Sequence, residues 1–146
     1  MNRVLGIDFG DSKVGLALTD PLGITVQGLE TIVFNGNNKI LLKRLDEIIN
    51  EYAIKNIVIG MPINMNGTLT KRAEVTKEFI HRLKSKYNTI NIDTIDERLT
   101  TKEANRTMSV LKMDRNKKKI IGDTIAAEYI LEIYIKKFER RTNLNE

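Results

Sequence analysis

Three positions in this 146-residue sequence combine a carboxylate with the expected end of a strand or helix: Asp8, the adjacent pair Asp96-Glu97, and Asp123. With one histidine and no cysteine, the chain has little else from which to build a nucleophile or a metal centre. Carboxylates that meet at the ends of strands repel one another, and they stay ionised together only with a cation between them. Mg²⁺ or Mn²⁺ suits such oxygen ligands and leaves positions open for water and substrate phosphate. Two such ions roughly 4 Å apart would stabilise both the attacking and the leaving oxygen of a phosphodiester displacement.

The three positions do not speak equally. Asp8 lies inside the apolar run VLGIDFG, where an unpaired carboxylate is costly unless a cation or a functional role accounts for it. Asp96 and Glu97 can equally be surface charges paired with Arg98 or Lys102. Asp123 follows Gly122 and can equally be the N-cap of a helix. Asp11, Asp20, Asp46 and Glu47 read as turn or helix-surface acids, and His81, beside Arg82, as an exposed side chain.

The elements that must position these groups follow from hydrophobic spacing. VLGIDFG and VGLALTD flank the turn-forming Asp11-Ser12-Lys13 and form a hairpin, with Asp8 near the end of its first strand. ITVQGLETIVF is a third strand and Asn35 to Asn38 a loop. Leu41, Leu45, Ile48, Ile49 and Tyr52 recur at helical spacing and predict a helix over Lys39 to Tyr52. The short apolar run NIVIG has the form of a buried parallel strand. Pro62 to Leu69 is a loop, and Val75, Phe79, Ile80 and Leu83 mark a helix over Thr70 to Lys86. Thr89 to Ile95 is a fifth strand running into Asp96. A helix over Lys102 to Val110 starts near Thr100 or Thr101, and a last, largely apolar helix covers Asp123 to Phe138 and lies against the sheet. The order β-β-β-α-β-α-β-α-α begins antiparallel and then alternates. It describes an α/β chain with a mixed five-stranded sheet flanked by helices, an order shared by the ribonuclease H-like fold.

Composition sets further bounds. The length suits one domain, expected over residues 1–138 with a frayed tail at 139–146. A hydrophobic fraction of 41% with 29% charged residues is that of a globular chain. No apolar run reaches membrane-spanning length and none near the start resembles a signal peptide, so a cytoplasmic location is expected. The net charge is +5, but it is concentrated: from Arg98 to Lys119 eight bases face two acids, leaving the rest of the chain near −1. Arg98, Lys102, Arg106, Lys112, Arg115, Lys117, Lys118 and Lys119 form the expected docking surface for a polyanion, with a solvated loop as the plainer alternative.

At these same residues the chain resembles a known family. GIDFGDSKVGLALTD, GMPINMNGTL, IDERLTT and GDTIAAEYIL are similar, in order, to four signatures of the YqgF family, also called RuvX, whose members are described as pre-16S ribosomal RNA nucleases and formerly as Holliday junction resolvases. The resemblance spans Val4 to about Phe138. It implies a ribonuclease H-like nuclease with an acidic, metal-binding triad on Asp8, Glu97 and Asp123, and a divalent cofactor, Mg²⁺ or Mn²⁺. Glu97 is assigned over Asp96 by the resemblance alone, since neighbours in a strand point to opposite faces. Arg98 and Thr100 would be groups on the substrate side. Asn66 stands where many members carry Asp, which weakens any catalytic claim for that position, and Gly122 replaces a branched apolar residue. Ala126 and Ala127 are small enough to let the last helix lie close to the sheet.

The reading that follows is a metal-dependent nuclease processing the 5′ end of precursor 16S rRNA, with ribosomal precursor particles as partners. Two alternatives are a Holliday junction resolvase-like endonuclease for branched DNA and a non-catalytic nucleic-acid-binding module. An actin-like ATPase, suggested by GIDFGDSK, would need a second domain that 146 residues do not accommodate.

Overall fold

The computed structural model describes residues 3–62, 70–96 and 124–137. Strands β1 (Val4–Phe9), β2 (Lys13–Thr19) and β3 (Val26–Val33) are followed by helix α1 (Asn38–Glu51), strand β4 (Asn56–Met61), helix α2 (Lys71–Lys86) and strand β5 (Asn91–Asp96). Helix α3 covers residues 124–137. The expected helix over Lys102 to Val110, the basic segment, the loop 63–69 and the tail 139–146 lie outside the described residues.

The strands form one sheet in the order β3-β2-β1-β4-β5. β1 pairs antiparallel with β2 and parallel with β4, and β4 pairs parallel with β5. This is the mixed sheet that the element order implies. The turn joining β1 to β2 closes through the Gly10 N–H, which donates to the Lys13 carbonyl at 3.0 Å. A Cβ at Gly10 would lie 2.7 Å from that same oxygen, so this tight turn requires glycine.

Two boundaries differ from the sequence reading, each for a local reason. β3 starts at Val26 because the Asp20 carboxylate accepts from the backbone N–H groups of Ile24 and Thr25, at 2.6 and 3.0 Å, and draws both into a turn. β5 starts at Asn91 because the Ile90 N–H donates back to Tyr87, extending the turn that leaves α2. Helix ends follow expectation closely. Asn37 caps α1 by accepting from the Lys39 N–H, and Thr70 caps α2 by accepting from that of Ala73.

Side-chain alternation divides the sheet into two faces. Leu5, Ile7 and Phe9 of β1, Val14, Leu16 and Leu18 of β2, Ile57 and Ile59 of β4, and Ile92 of β5 join α1 and α2 in the larger core. Val4, Ala17, Val58 and Ile95 face the other way and pack with Ala127, Ile130 and Leu131 of α3. Between α1 and α2, Asp46 accepts from Lys86 at 2.8 Å and from the Tyr87 hydroxyl. Partial burial pulls the Asp46 carboxyl upward, but these two bonds outweigh it and hold it below the usual range. None of the described helices is long and apolar enough to cross a membrane.

α3 crosses the strands rather than following one. Near its start Thr124 and Glu128 lie against Gly28 of β3, Ala127 and Leu131 lie over Gly6 of β1, and Tyr134 donates to Asp93 of β5 at 3.3 Å. The approach is close enough that a Cβ at Gly6 would stand 2.6 Å from Leu131 Cγ and 2.9 Å from the Ala127 carbonyl oxygen. The side chain can turn away; the backbone oxygen cannot without moving the helix. Gly6→Ala is therefore expected to cost about 1–3 kcal/mol, as overpacking of a filled core does. A thermal melt should show it as a drop of several degrees, and an unchanged melting temperature would mean that α3 shifts freely over the sheet.

Candidate functional site

Asp8 is the next-to-last residue of β1, the central strand, and pairs with Gly15 of β2. It shares the parity of Val4 and Gly6, which places its side chain on the α3 face. On the other flank, Gly60 follows Ile59, the β4 partner of Ile7, so the strands beside Asp8 carry glycine on both sides. β1 is also where the sheet changes direction of growth, with β2 and β3 added on one side and β4 and β5 on the other. The carboxyl ends of strands at such a switch point are where α/β folds open a crevice.

The Oδ1 atom of Asp8 is shut away from solvent and has no hydrogen-bond partner among the described residues. Leaving a buried acceptor unmatched costs on the order of 1–3 kcal/mol, and more when it is charged. A divalent cation is the kind of partner that answers this need, because it coordinates carboxylate oxygen directly. The surroundings of Asp8 thus fit it to a metal-binding role. Among the described residues no three acids or histidines come together. Glu97 and Asp123 lie outside those residues, as do Arg98, Thr100, Lys102, Arg106, Lys112, Arg115, Lys117, Lys118 and Lys119.

Asp96, the competitor of Glu97, is described. It ends β5 opposite Met61 and has the parity of Ile92, on the α1/α2 face and away from Asp8. His81 and Asp11 are exposed as expected.

Two further features of the fold carry little mark in the sequence. Glu128 reaches Gly28, whose N–H bonds to the carboxylate. Burial pushes the Glu128 carboxyl above its ordinary range, Glu132 adds to this, and the Gly28 bond opposes it without cancelling it. Arg72, in the first turn of α2, donates through Nη2 to the carbonyl of Phe9 at 3.4 Å, one residue beyond Asp8. Only its position after a Thr cap marks Arg72 in the sequence, which is too common a context to signal a site.

If Asp8 seats a cation, saturating Mn²⁺ at 100 times its dissociation constant should stabilise the protein by about 2.7 kcal/mol. In Asp8→Asn that rise in melting temperature should vanish, while in EDTA the variant should melt at or above the parent. A metal-induced rise of parental size in the variant would place the cation elsewhere.

A family model described as RuvX, Holliday junction resolvase, matches residues 2–137. A relative from Ruminiclostridium cellulolyticum is 52% identical over 133 residues, which are 91% of this chain and 93% of the relative. One from Acetivibrio thermocellus is 48% identical over 133 residues, again 91% of this chain and 94% of the relative. Both carry the name "Putative pre-16S rRNA nuclease". Among solved structures, RuvC of Thermus thermophilus superimposes with a TM-score of 0.55 at 12% identity, covering 92% of this chain and 96% of RuvC. The same protein in complex with Holliday junction substrate gives 0.51 at 10% identity, covering 91% and 96%. At such identities the likeness shows the fold, which is ribonuclease H-like.

Proposed function

The chain belongs to the RuvX family, whose activity is phosphodiester hydrolysis, and on that premise we propose that it is a divalent-metal-dependent nuclease processing the 5′ end of precursor 16S ribosomal RNA. The observation that carries the metal dependence is the buried, unpartnered Asp8 oxygen at the end of the central strand. The RNA substrate rests on the names of the relatives at 48% and 52% identity. The family's description as a Holliday junction resolvase favours branched DNA as the second reading. A role in ribosome assembly places the protein in the cytoplasm with precursor particles as partners.

Asp8, Glu97 and Asp123 would hold Mg²⁺ or Mn²⁺. Such an ion, when bound, polarises phosphate oxygen and lowers the pKa of water to make a nucleophile. We assign the role to Glu97 rather than Asp96 because Asp96 takes the parity of the opposite face, and strand alternation then favours its neighbour. Asp123 immediately precedes residues that lie against the sheet on the Asp8 face. The chain's own contribution to the chemistry is then threefold. The three carboxylates fix the charge that retains the cation. The close packing of α3 over Gly6 and Gly28 holds the strand that carries Asp8 in place. Arg98, Thr100 and the bases from Lys102 to Lys119 bind the flanking backbone by counterion release.

Purified protein, Asp8→Asn and Asp123→Asn should be incubated with precursor 16S rRNA, a DNA four-way junction and plain duplex DNA. The expected result is divalent-dependent cleavage of the precursor by the parent, and loss of at least 100-fold in both variants, about the scale on which removing one electrostatic stabiliser acts. Asn caps a helix about as well as Asp, so Asp123→Asn should keep the parental melting temperature within a few degrees. Parental cleavage by Asp123→Asn would make Asp123 a cap only. Cleavage confined to the junction would establish the second reading instead.

A further inference from the structure

We propose that Arg72 is a substrate-positioning residue, holding a non-bridging oxygen of a phosphate adjacent to the scissile one on the RNA strand. The inference rests on the nuclease reading above and adds a contact on the face of the sheet opposite to Asp8.

Arg72 is rooted on a fixed element. Thr70 accepts from the Ala73 N–H at 3.0 Å and donates to the Pro62 carbonyl at 3.4 Å, and Ala73 and Thr76 are fully buried against the sheet. From that base the exposed Arg72 side chain extends back to the end of β1. Its Nη2 donates to Phe9 and lies 3.6 Å from where a Cβ of Gly10 would be, so only backbone separates the guanidinium from the strand end. Asp8 approaches the same strand end from the α3 face. The two side chains straddle the crest of β1, and a nucleic-acid strand crossing that crest would present one phosphate to Asp8 and a neighbouring one to Arg72.

The guanidinium is free to accept that phosphate. A guanidinium has five N–H donors, and the long bond to Phe9 occupies one. Arg44 is paired with both Glu30 and Glu47, Arg82 with Glu78, and Lys86 with Asp46, whereas Arg72 has no carboxylate within ion-pair distance among the described residues. The helix does not account for it either, since a cation in the first turn opposes the helix dipole. The planar fork of arginine donors matches phosphate oxygens in pairs, which a lysine at this position would not reproduce.

The test is binding of a fluorescently labelled 5′ precursor 16S rRNA segment in EDTA, as a function of salt, together with steady-state cleavage in Mg²⁺, for the parent, Arg72→Ala and Arg72→Lys. Arg72→Ala should weaken binding about tenfold, the scale of one charge-assisted bond. It should also flatten the slope of log affinity against log salt by about 0.7, and raise KM with kcat changed less than about threefold. Arg72→Lys should restore the slope and only part of the affinity. Because the side chain is exposed, the melting temperature should stay within about a degree in both variants. Parental affinity, slope and KM in Arg72→Ala, with the parent binding and cleaving the RNA, would overturn the role of Arg72 and leave the nuclease reading intact. A folded parent that neither binds nor cleaves the RNA would overturn both.

Discussion

A carboxylate held at the end of a central strand with one oxygen shut off from water imposes the main constraint on this protein. Solvent does not reach the Oδ1 of Asp8, and none of the described residues donates to it. The fold surrounds it with fixed structure: antiparallel pairing to β2 on one side, parallel β4 on the other, and α3 across the face to which it points. Each of these limits how far the strand end can move to find a donor. Such an arrangement is expensive for a structural acid and natural for a ligand whose partner arrives from outside.

The two faces of the sheet divide the work. The larger core beneath α1 and α2 supplies the bulk of apolar burial, and the stacked Phe9 and Phe79 rings anchor the end of β1 within it. The α3 face is thinner and depends on closeness rather than volume. Gly6, Gly28 and Ala127 let the helix lie against the strands, at the cost of leaving no tolerance for an added methyl group. Glu128, half-buried and held by the Gly28 N–H, shows that this face also accepts a polar group near the start of the helix. A helix set down so closely keeps the residues at its start in a fixed relation to the strand that carries Asp8.

Much of this was legible in the sequence. The order of the described strands and helices, the hairpin around Asp11 to Lys13 and the start of α2 near Thr70 follow from periodicity and turn chemistry. Asp8 stood out because a charge in an apolar strand needs a reason. The small residues of α3 stand out in the sequence, but their partners Gly6 and Gly28 do not, because a glycine that admits a neighbour looks the same in sequence as one that merely tolerates a turn. The face of β5 to which Asp96 belongs is set by Ile92 and Ile95 on opposite sides and not by the run of letters. Arg72 was invisible for a similar reason: its contact with Phe9 joins residues 63 positions apart.

The central claim, that the buried oxygen of Asp8 is a seat for a divalent cation, is tested most directly by anomalous diffraction from crystals grown with Mn²⁺. An anomalous peak at coordination distance from Asp8 Oδ1, about 2.0–2.3 Å for a hard divalent ion, is the expected result. A Mn²⁺-containing crystal with no peak there, and with Oδ1 accepting a hydrogen bond from a protein donor instead, would contradict it.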